Sequence, residues 1–363
     1  MEGFGTAAPF ARLVAEALGT GRMTLIDIGC SSGIDTVWRV FGERLRALAF
    51  DPNLTEIQRL IAEESLSGVE YIAAFVGLSP DDPATPRMRA GQFWARSPWD
   101  RLSVARTGQL RAAAVATMDA AERTRNNLWT QVDLADPGKP VVLASLLKER
   151  GIDDVDFIKI DVDGADFLIL RSLAQVLEDA KVLGVGIEVN FFGSDDPDVH
   201  TLHNVDRFMK RQGFELFKLS SRPYSMAALP APYQLTIPAQ TTFGRLLQGD
   251  ALYFRDAAAP ENAVWVQKAG VQKLMKLAAL FSIANLPDCA AEVLVMYRHL
   301  LEGTFDVEGG LDTLVAQALG EGEPRMTYRE YIAAFEADAP RFWPALTAAA
   351  RNEEAHRSES TTP

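Results

Sequence analysis

Two spacings of apolar positions alternate along the first part of the chain. Met23 to Ile28 (MTLIDI) is a short apolar run that stops at Gly29, the pattern of a strand buried on both faces of a parallel sheet. Ile34 to Leu48 predicts a helix leading into a second strand, Arg46 to Phe50 at its centre, which Asp51-Pro52 ends. Asn53 caps a further helix through Glu64, with Thr55 and Glu56 in its first turn. Val69 to Val76 is a third strand. Strand, helix, strand, helix, strand is the order of a doubly wound, Rossmann-like α/β sheet.

Ser79 to Pro140 breaks this rhythm. It holds Pro80, Pro83, Pro86 and Pro98, with Trp94, Trp99 and Trp129 among polar residues. A spacer this long reads either as a lid or substrate wall, or as a surface excursion with some helix of its own. The tryptophans would stack on a ring-shaped ligand or pack inside the lid. The sheet then resumes with Val155 to Ile160. A helix follows over Ala165 to Ala180, and a fifth strand over Val182 to Val189. His200 to Gln212 is helical and Gly213 ends it. Phe214 to Leu219 and Ala251 to Phe254 are the last two strands, separated by a proline-rich loop over Arg222 to Phe243. From Ala257 to Ala350 the chain turns alanine- and leucine-rich and helical, and Arg351 to Pro363 reads as disordered. The expected division is an N-terminal helix over 1–22, an α/β domain over 23–256 with an insertion at 79–140, a C-terminal α-helical appendage over 257–350, and a tail over 351–363.

The 363 residues are 48% apolar, enough for a sizeable core. A net charge of −13, with the basic residues scattered, disfavours nucleic acid and anionic membrane as partners. Cys30 and Cys289 make no disulfide framework, which fits a reducing cytoplasm. Met1 to Thr20 reads as an amphipathic helix, not a leader, and no stretch is apolar enough to span a bilayer.

Candidate chemistry gathers at the strand ends. Asp27-Ile28-Gly29-Cys30-Ser31-Ser32-Gly33 lies where a strand turns into a helix, and its glycines would let backbone approach a nucleoside. The spacing is G-x-x-x-G, not the dinucleotide G-x-G-x-x-G. Asp51 ends the next strand, where an acid serves the ribose of NAD or of S-adenosylmethionine equally. Asp161 and Glu188 lie late on strands that should be neighbours, about 4.8 Å apart. They would bind Mg²⁺ or a similar hard ion, with Asp163, or one would act as general base. Asp163 and Asp166 also read as caps of the following helix. His200 and His203 share a helical face, His203 being the alternative base; the plainer reading is a solvated helix start. Cys30 has no paired histidine nearby, and packing explains it better than nucleophilic catalysis.

The segment Asp156-Phe157-Ile158-Lys159-Ile160-Asp161-Val162-Asp163-Gly164-Ala165-Asp166, followed by an apolar helix, resembles the FkbM methyltransferases, whose hallmark is close to DFIKIDVEGAE. Asp163 and Asp166 stand where that hallmark has glutamate. Asp27, Gly29 and Gly33 match the family's first loop, with Cys30 in place of alanine, and Gly249 to Phe254 is a family-like ending. The resemblance covers Thr24 to Arg255. It implies a seven-stranded methyltransferase sheet with S-adenosylmethionine over its carboxyl ends. Asp27, Gly29, Cys30, Ser31 and Gly33 would surround the amino-acid portion, Asp51 with Pro52 the ribose, and Ala74 and Phe75 the adenine. Asp161 would lie close to the sulfonium and the acceptor. The implied activity is O-methylation of a hydroxyl on a sugar, glycan or natural product, a bacterial glycan modification being one setting, with a homodimer one arrangement of the chain. An NAD-dependent dehydrogenase and a non-catalytic scaffold on the same fold are the rivals.

Overall fold

The structure, a computed structural model, describes residues 8–78, 101–103, 134–136, 139–162, 164–179, 181–232, 240–320 and 325–339. Most of the expected 79–140 insertion, its three tryptophans, Asp163 and the 351–363 tail lie outside the described residues.

One eight-stranded sheet organises the chain. Its strands are β1 (Met23–Ile28), β2 (Leu45–Asp51), β3 (Val69–Ala73), β4 (Phe157–Ile160), β5 (Gly184–Asn190), β6 (Glu215–Leu219), β7 (Arg222–Tyr224) and β8 (Arg245–Phe254). The order is β3-β2-β1-β4-β5-β8-β6, with β7 also on β8. β1 to β5 run parallel, and β8 is antiparallel to β5, β6 and β7. The chain winds outward from β1 in one direction and then from β4 in the other. A crevice therefore opens at the carboxyl ends of β1 and β4. The extra strand, β7, comes from the loop expected over 222–243. β8 starts six residues earlier than Ala251, because Gln248 and Gly249 continue the ladder to the tip of β5.

Alternation along each strand sorts residues between the two faces. Leu25, Phe157, Leu252 and Phe254 share one core with α1 (Pro9–Ala17) and the C-terminal helices. Ile26, Ile28, Ile158, Ile160, Val185 and Ile187 meet α4 (Asp166–Ser172), α5 (Ala174–Asp179) and α6 (Leu202–Arg211) on the other. β5 (GVGIEVN) opens on glycine because the rings of Phe157 and Phe254 lie where a side chain at Gly184 would be. The helix expected over 165–180 is two helices parted at Leu173.

α2 (Leu54–Glu63) forms as expected, with Asn53 accepting the Glu56 N–H at 3.1 Å. The helix expected from Ile34 does not. Thr36–Arg44 is 3-10 in type, kinked at Gly42, where φ is +49°. Val37, Trp38 and Phe41 are buried there, and the three-residue step from Trp38 to Phe41 keeps both rings on one side at the 3-10 period.

The C-terminal helices complete one face of the sheet. In α8 (Val271–Ile283) every residue from Lys273 to Ile283 is buried, as expected of a helix apolar nearly all round. It packs on α1 and on α9 (Pro287–Met296), and α11 (Val307–Leu319) packs on α9. The remaining helices are α3 (Leu143–Glu149), α7 (Ala263–Ala269), α10 (Arg298–Leu301) and α12 (Tyr328–Ala337). Lys273 and Lys276, one turn apart, both reach the buried Asp156 just before β4. No described helix is long and apolar enough to cross a membrane.

Candidate active site

The turn after β1 is tied to β2. The N–H groups of Gly29 and Cys30 both donate to the Phe50 carbonyl, at 2.8 and 3.0 Å. Gly29, Ser32 and Gly33 have φ of +89°, +71° and +89°. For Ser32 that conformation costs about 1–2 kcal/mol, and its N–H donates to Glu56 Oε1 at 3.1 Å. The Arg59 guanidinium holds Glu56 below the usual carboxylate range. A Cβ at Gly29 would collide with the carbonyl of Asp161, so this glycine is required for β4 to approach the turn. Cys30 is fully buried, and burial pushes its thiol up. Packing explains it.

Asp51 ends β2, buried, with Oδ1 accepting the Asn53 N–H at 2.8 Å. No described residue donates to its Oδ2. Burial, with Glu56 nearby, pushes its carboxyl above the ordinary range. Pro52 follows, half-buried. Ala74 and Phe75 lie just past β3, beside this end of β2: the Ala74 N–H donates to the Asp51 carbonyl at 3.1 Å.

Asp27 and Lys159 sit opposite each other in the β1–β4 register. The Lys159 ammonium donates to Asp27 Oδ1 at 3.0 Å and to the Gly29 carbonyl at 2.7 Å, and lies 3.7 Å from Asp161 Oδ2. Burial alone would pull Lys159 down, but Asp27 and Asp161 outweigh it and hold the ammonium above its ordinary range. Burial raises Asp27 despite that partner. Sequence reasoning named Asp27 and Asp161 but passed over Lys159. The signal was present: a lysine inside a buried strand, in phase with Phe157 and Asp161.

Asp161 and Glu188 reach neighbouring strand tips, but in different states. The Asp161 side chain is 30% exposed. Glu188 is buried, and both its oxygens are taken: Oε2 accepts from Arg222 Nη1 at 2.7 Å and Oε1 from Gln248 Nε2 at 2.7 Å. Arg222 also donates to Asp250 Oδ2 at 2.6 Å. Burial and the Asp161 carboxylate push Glu188 up to about 8 against the pull of Arg222. Of the expected Mg²⁺ set of Asp161, Asp163 and Glu188, Asp163 lies outside the described residues. Both Glu188 oxygens accept hydrogen bonds, Asp161 faces an ammonium, and no group of three metal-ligating side chains assembles among the described residues. The contacts of Arg222, Gln248 and Asp250 with Glu188 and with each other were missed, because Arg222 fell in the expected loop and Gln248 and Asp250 lie before the strand expected from Ala251.

Asp166 does not cap its own helix. It is fully buried and turns back, with Oδ1 accepting from Val162 N at 3.0 Å and Oδ2 from Gly164 N at 2.8 Å, which shapes the loop after β4. The histidine pair is also corrected. α6 begins at Leu202, so His200 precedes the helix and the two do not share a face. His203 is exposed beside Thr201 Oγ1 at 3.3 Å and lines an open cleft of about 830 Å³ with Phe191, Phe192 and Arg245. His200 is the one turned inward, its Nε2 2.8 Å from the Glu188 carbonyl and its side chain only 8% exposed.

A family match over part of this sheet points to methyltransferases. Residues 139–216 match the family model described as the methyltransferase FkbM domain, and this segment contains β4, β5 and Asp161, Glu188 and His200. No curated protein matches the sequence. Among solved structures, an S-adenosylmethionine-dependent methyltransferase from Aquifex aeolicus aligns at 10% identity and TM-score 0.28, covering 67% of this chain and 88% of that one. The N-terminal domain of EvdMO1, solved with S-adenosylhomocysteine bound, aligns at 11% identity and TM-score 0.32, covering 69% and 82%. TYW2 from M. jannaschii, in complex with S-adenosylmethionine, aligns at 11% and 0.28, covering 69% and 78%. The fold class rests on the strand order and directions given above.

Proposed function

We propose that the chain transfers a methyl group from S-adenosylmethionine to a hydroxyl oxygen of a sugar, glycan or natural-product acceptor. The observation that carries this reading is the juxtaposition of the left-handed Gly29–Gly33 turn with buried Asp51 where the strand order reverses. The residues present fit the cofactor. The glycines of the turn let a ligand approach the backbone closely, and Asp51, with one oxygen not hydrogen-bonded to described residues, suits the ribose hydroxyls. Ala74 and Phe75 would flank the base.

Bound S-adenosylmethionine supplies a methyl group already activated by sulfonium charge. What remains for the protein is to align an acceptor oxygen behind it and to receive a proton. Asp161, half-exposed at the tip of β4, faces the acceptor in this reading. Mg²⁺ is not part of this proposal, since both Glu188 oxygens are already hydrogen-bonded and Asp161 faces Lys159. The G-x-x-x-G spacing speaks against NAD.

Calorimetry with S-adenosylhomocysteine tests the site. Asp51→Asn should weaken binding at least about tenfold, about 1.4 kcal/mol. An unchanged affinity would sink the assignment, and stabilisation of the chain by NADH in a thermal-shift assay, with none by S-adenosylhomocysteine, would favour the dehydrogenase.

A further inference from the structure

We infer that a cleft at the amino ends of β1, β2 and β3 binds a phosphoryl group, at the opposite end of the sheet from the proposed active site. Three arginines far apart in the sequence meet there. Arg22 stands just before β1, Arg46 is the second residue of β2, and Arg150 follows α3. They line one cleft of about 300 Å³ with Ser67, Gly68 and Glu70. That is the lower end of the size range of small-molecule sites.

The local structure leaves the space open. Arg46 pairs with Thr24 in the β1–β2 register, and on its other side the Ala47 N–H donates to the Gly68 carbonyl at 2.8 Å. A Cβ at Gly68 would collide with the Leu45 carbonyl. The chain therefore enters β3 on a residue with no side chain, and none fills the space beside Arg46. Arg46 is half-buried, whereas Arg22 and Arg150 are exposed at the rim.

Charge selects the ligand. Glu70 is the acid of this lining, and it is already paired with Arg150. Glu43, outside the lining, accepts the Ser67 hydroxyl at 3.1 Å. Arg22 and Arg46 have no ion-pair or hydrogen-bond partner among the described residues. Three guanidinium groups against one carboxylate leave two positive charges, in a chain whose net charge is −13. Like charges around one cleft repel each other, and an anion between them removes that cost. A phosphate monoester carries about −1.5 to −2 at neutral pH, and its oxygens match the guanidinium fork. A single carboxylate would balance half the charge. β1 is six residues long, so the cleft and the crevice at the carboxyl ends lie about 20 Å apart. The inference does not rest on the methyltransferase reading.

Calorimetry on the full chain, with ionic strength held constant by sodium chloride, tests this. Glycerol phosphate and inorganic phosphate should each bind at one site, and acetate at least about tenfold more weakly. Either order of the two phosphates supports the site, and the tighter one identifies the source as an ester or the free ion. Arg46→Gln and the rim variant Arg22→Gln should each weaken phosphate binding at least about tenfold. Glu70→Gln should tighten it about threefold, since a negative charge is lost and Arg150 is freed. A folding defect would not produce that gain. Affinity for S-adenosylhomocysteine should stay within about twofold when phosphate is saturating, as expected of distant sites. The assignment is overturned by an absence of binding up to about 10 mM of either phosphate, by unchanged binding in both arginine variants, by acetate binding as tightly as phosphate, or by displacement of phosphate by S-adenosylhomocysteine.

Discussion

Below β4, Lys273 and Lys276 of α8 reach Asp156 at 2.7 and 2.9 Å and Asp154 at 2.6 and 2.9 Å. Two cations there meet two anions, and Asp156 also accepts the Thr24 N–H at 2.8 Å. Above β4, Lys159 and Arg222 are set among Asp27, Asp51, Asp161, Glu188 and Asp250. The lower cluster is closed: it clamps the C-terminal helices to the sheet and leaves no acid wanting a partner. Among the described residues the upper one has a surplus of acid, which must find protons or a cation. Both Asp27 and Asp51 are pushed upward there. Within the proposed function, a sulfonium ligand supplies the missing positive charge. The same residue pair is thus structural at one end of a strand and chemical at the other, and the balance of charge separates them.

That contrast can be broken by experiment. The largest effect is expected from Lys276→Met, which strands Asp154 and Asp156 with a single lysine. Removing one partner of a buried pair costs about 3–5 kcal/mol, to be read from urea unfolding. A loss below about 1 kcal/mol would show that the lower cluster is not a clamp. Lys159→Met should act differently. Asp27, already raised, can take up a proton, so unfolding should move less than in Lys276→Met. Binding of S-adenosylhomocysteine should fall at least about tenfold, about 1.4 kcal/mol, as the Gly29 carbonyl loses its donor. If Lys159→Met costs as much stability as Lys276→Met and leaves binding unchanged, the distinction fails.

The smallest effect is a control outside both clusters. Arg39 holds Glu64 at 2.8 Å through each oxygen, and the hydrogen bonds from that guanidinium are the main reason its carboxyl is lowered to about 2 from 4.5. A depressed folded value contributes stability above the unfolded value and loses it as pH falls through the folded one. Glu64→Gln should therefore lose about 0.5–1 kcal/mol at neutral pH. That deficit should be full above pH 4.5 and vanish as pH falls through about 2. A deficit that does not change with pH would mean that Glu64 matters through packing alone, for instance beneath the Tyr71 hydroxyl it accepts at 3.2 Å.

Much of the sheet was legible in the sequence. MTLIDI and VDFIKI are near-continuous apolar runs because both faces of a parallel strand are buried, and Asp27 and Lys159 interrupt them one residue before their carboxyl ends. The capping residue Asn53 and the stop at Asp51-Pro52 are local events, governed by neighbours in the chain, and both stand as expected. The site was half legible for the same reason. Asp27, Gly29, Asp51 and Asp161 are strand-end residues, whereas Arg222, Gln248 and Asp250 act on Glu188 from a ladder formed between distant segments.

By itself the sequence determined the winding order of the strands, the acid at the end of β2 and the glycine turn after β1, since each follows from propensity and spacing over a few residues. Only the tertiary structure decided which ionisable groups are left wanting. Lys273 is 117 residues from Asp156 and Gln248 is 60 from Glu188, so whether a carboxylate is matched, shared or exposed depends on pairings that no local spacing encodes. His200 turns inward and His203 outward because α6 begins between them, and the packing of α6 on the sheet sets that start.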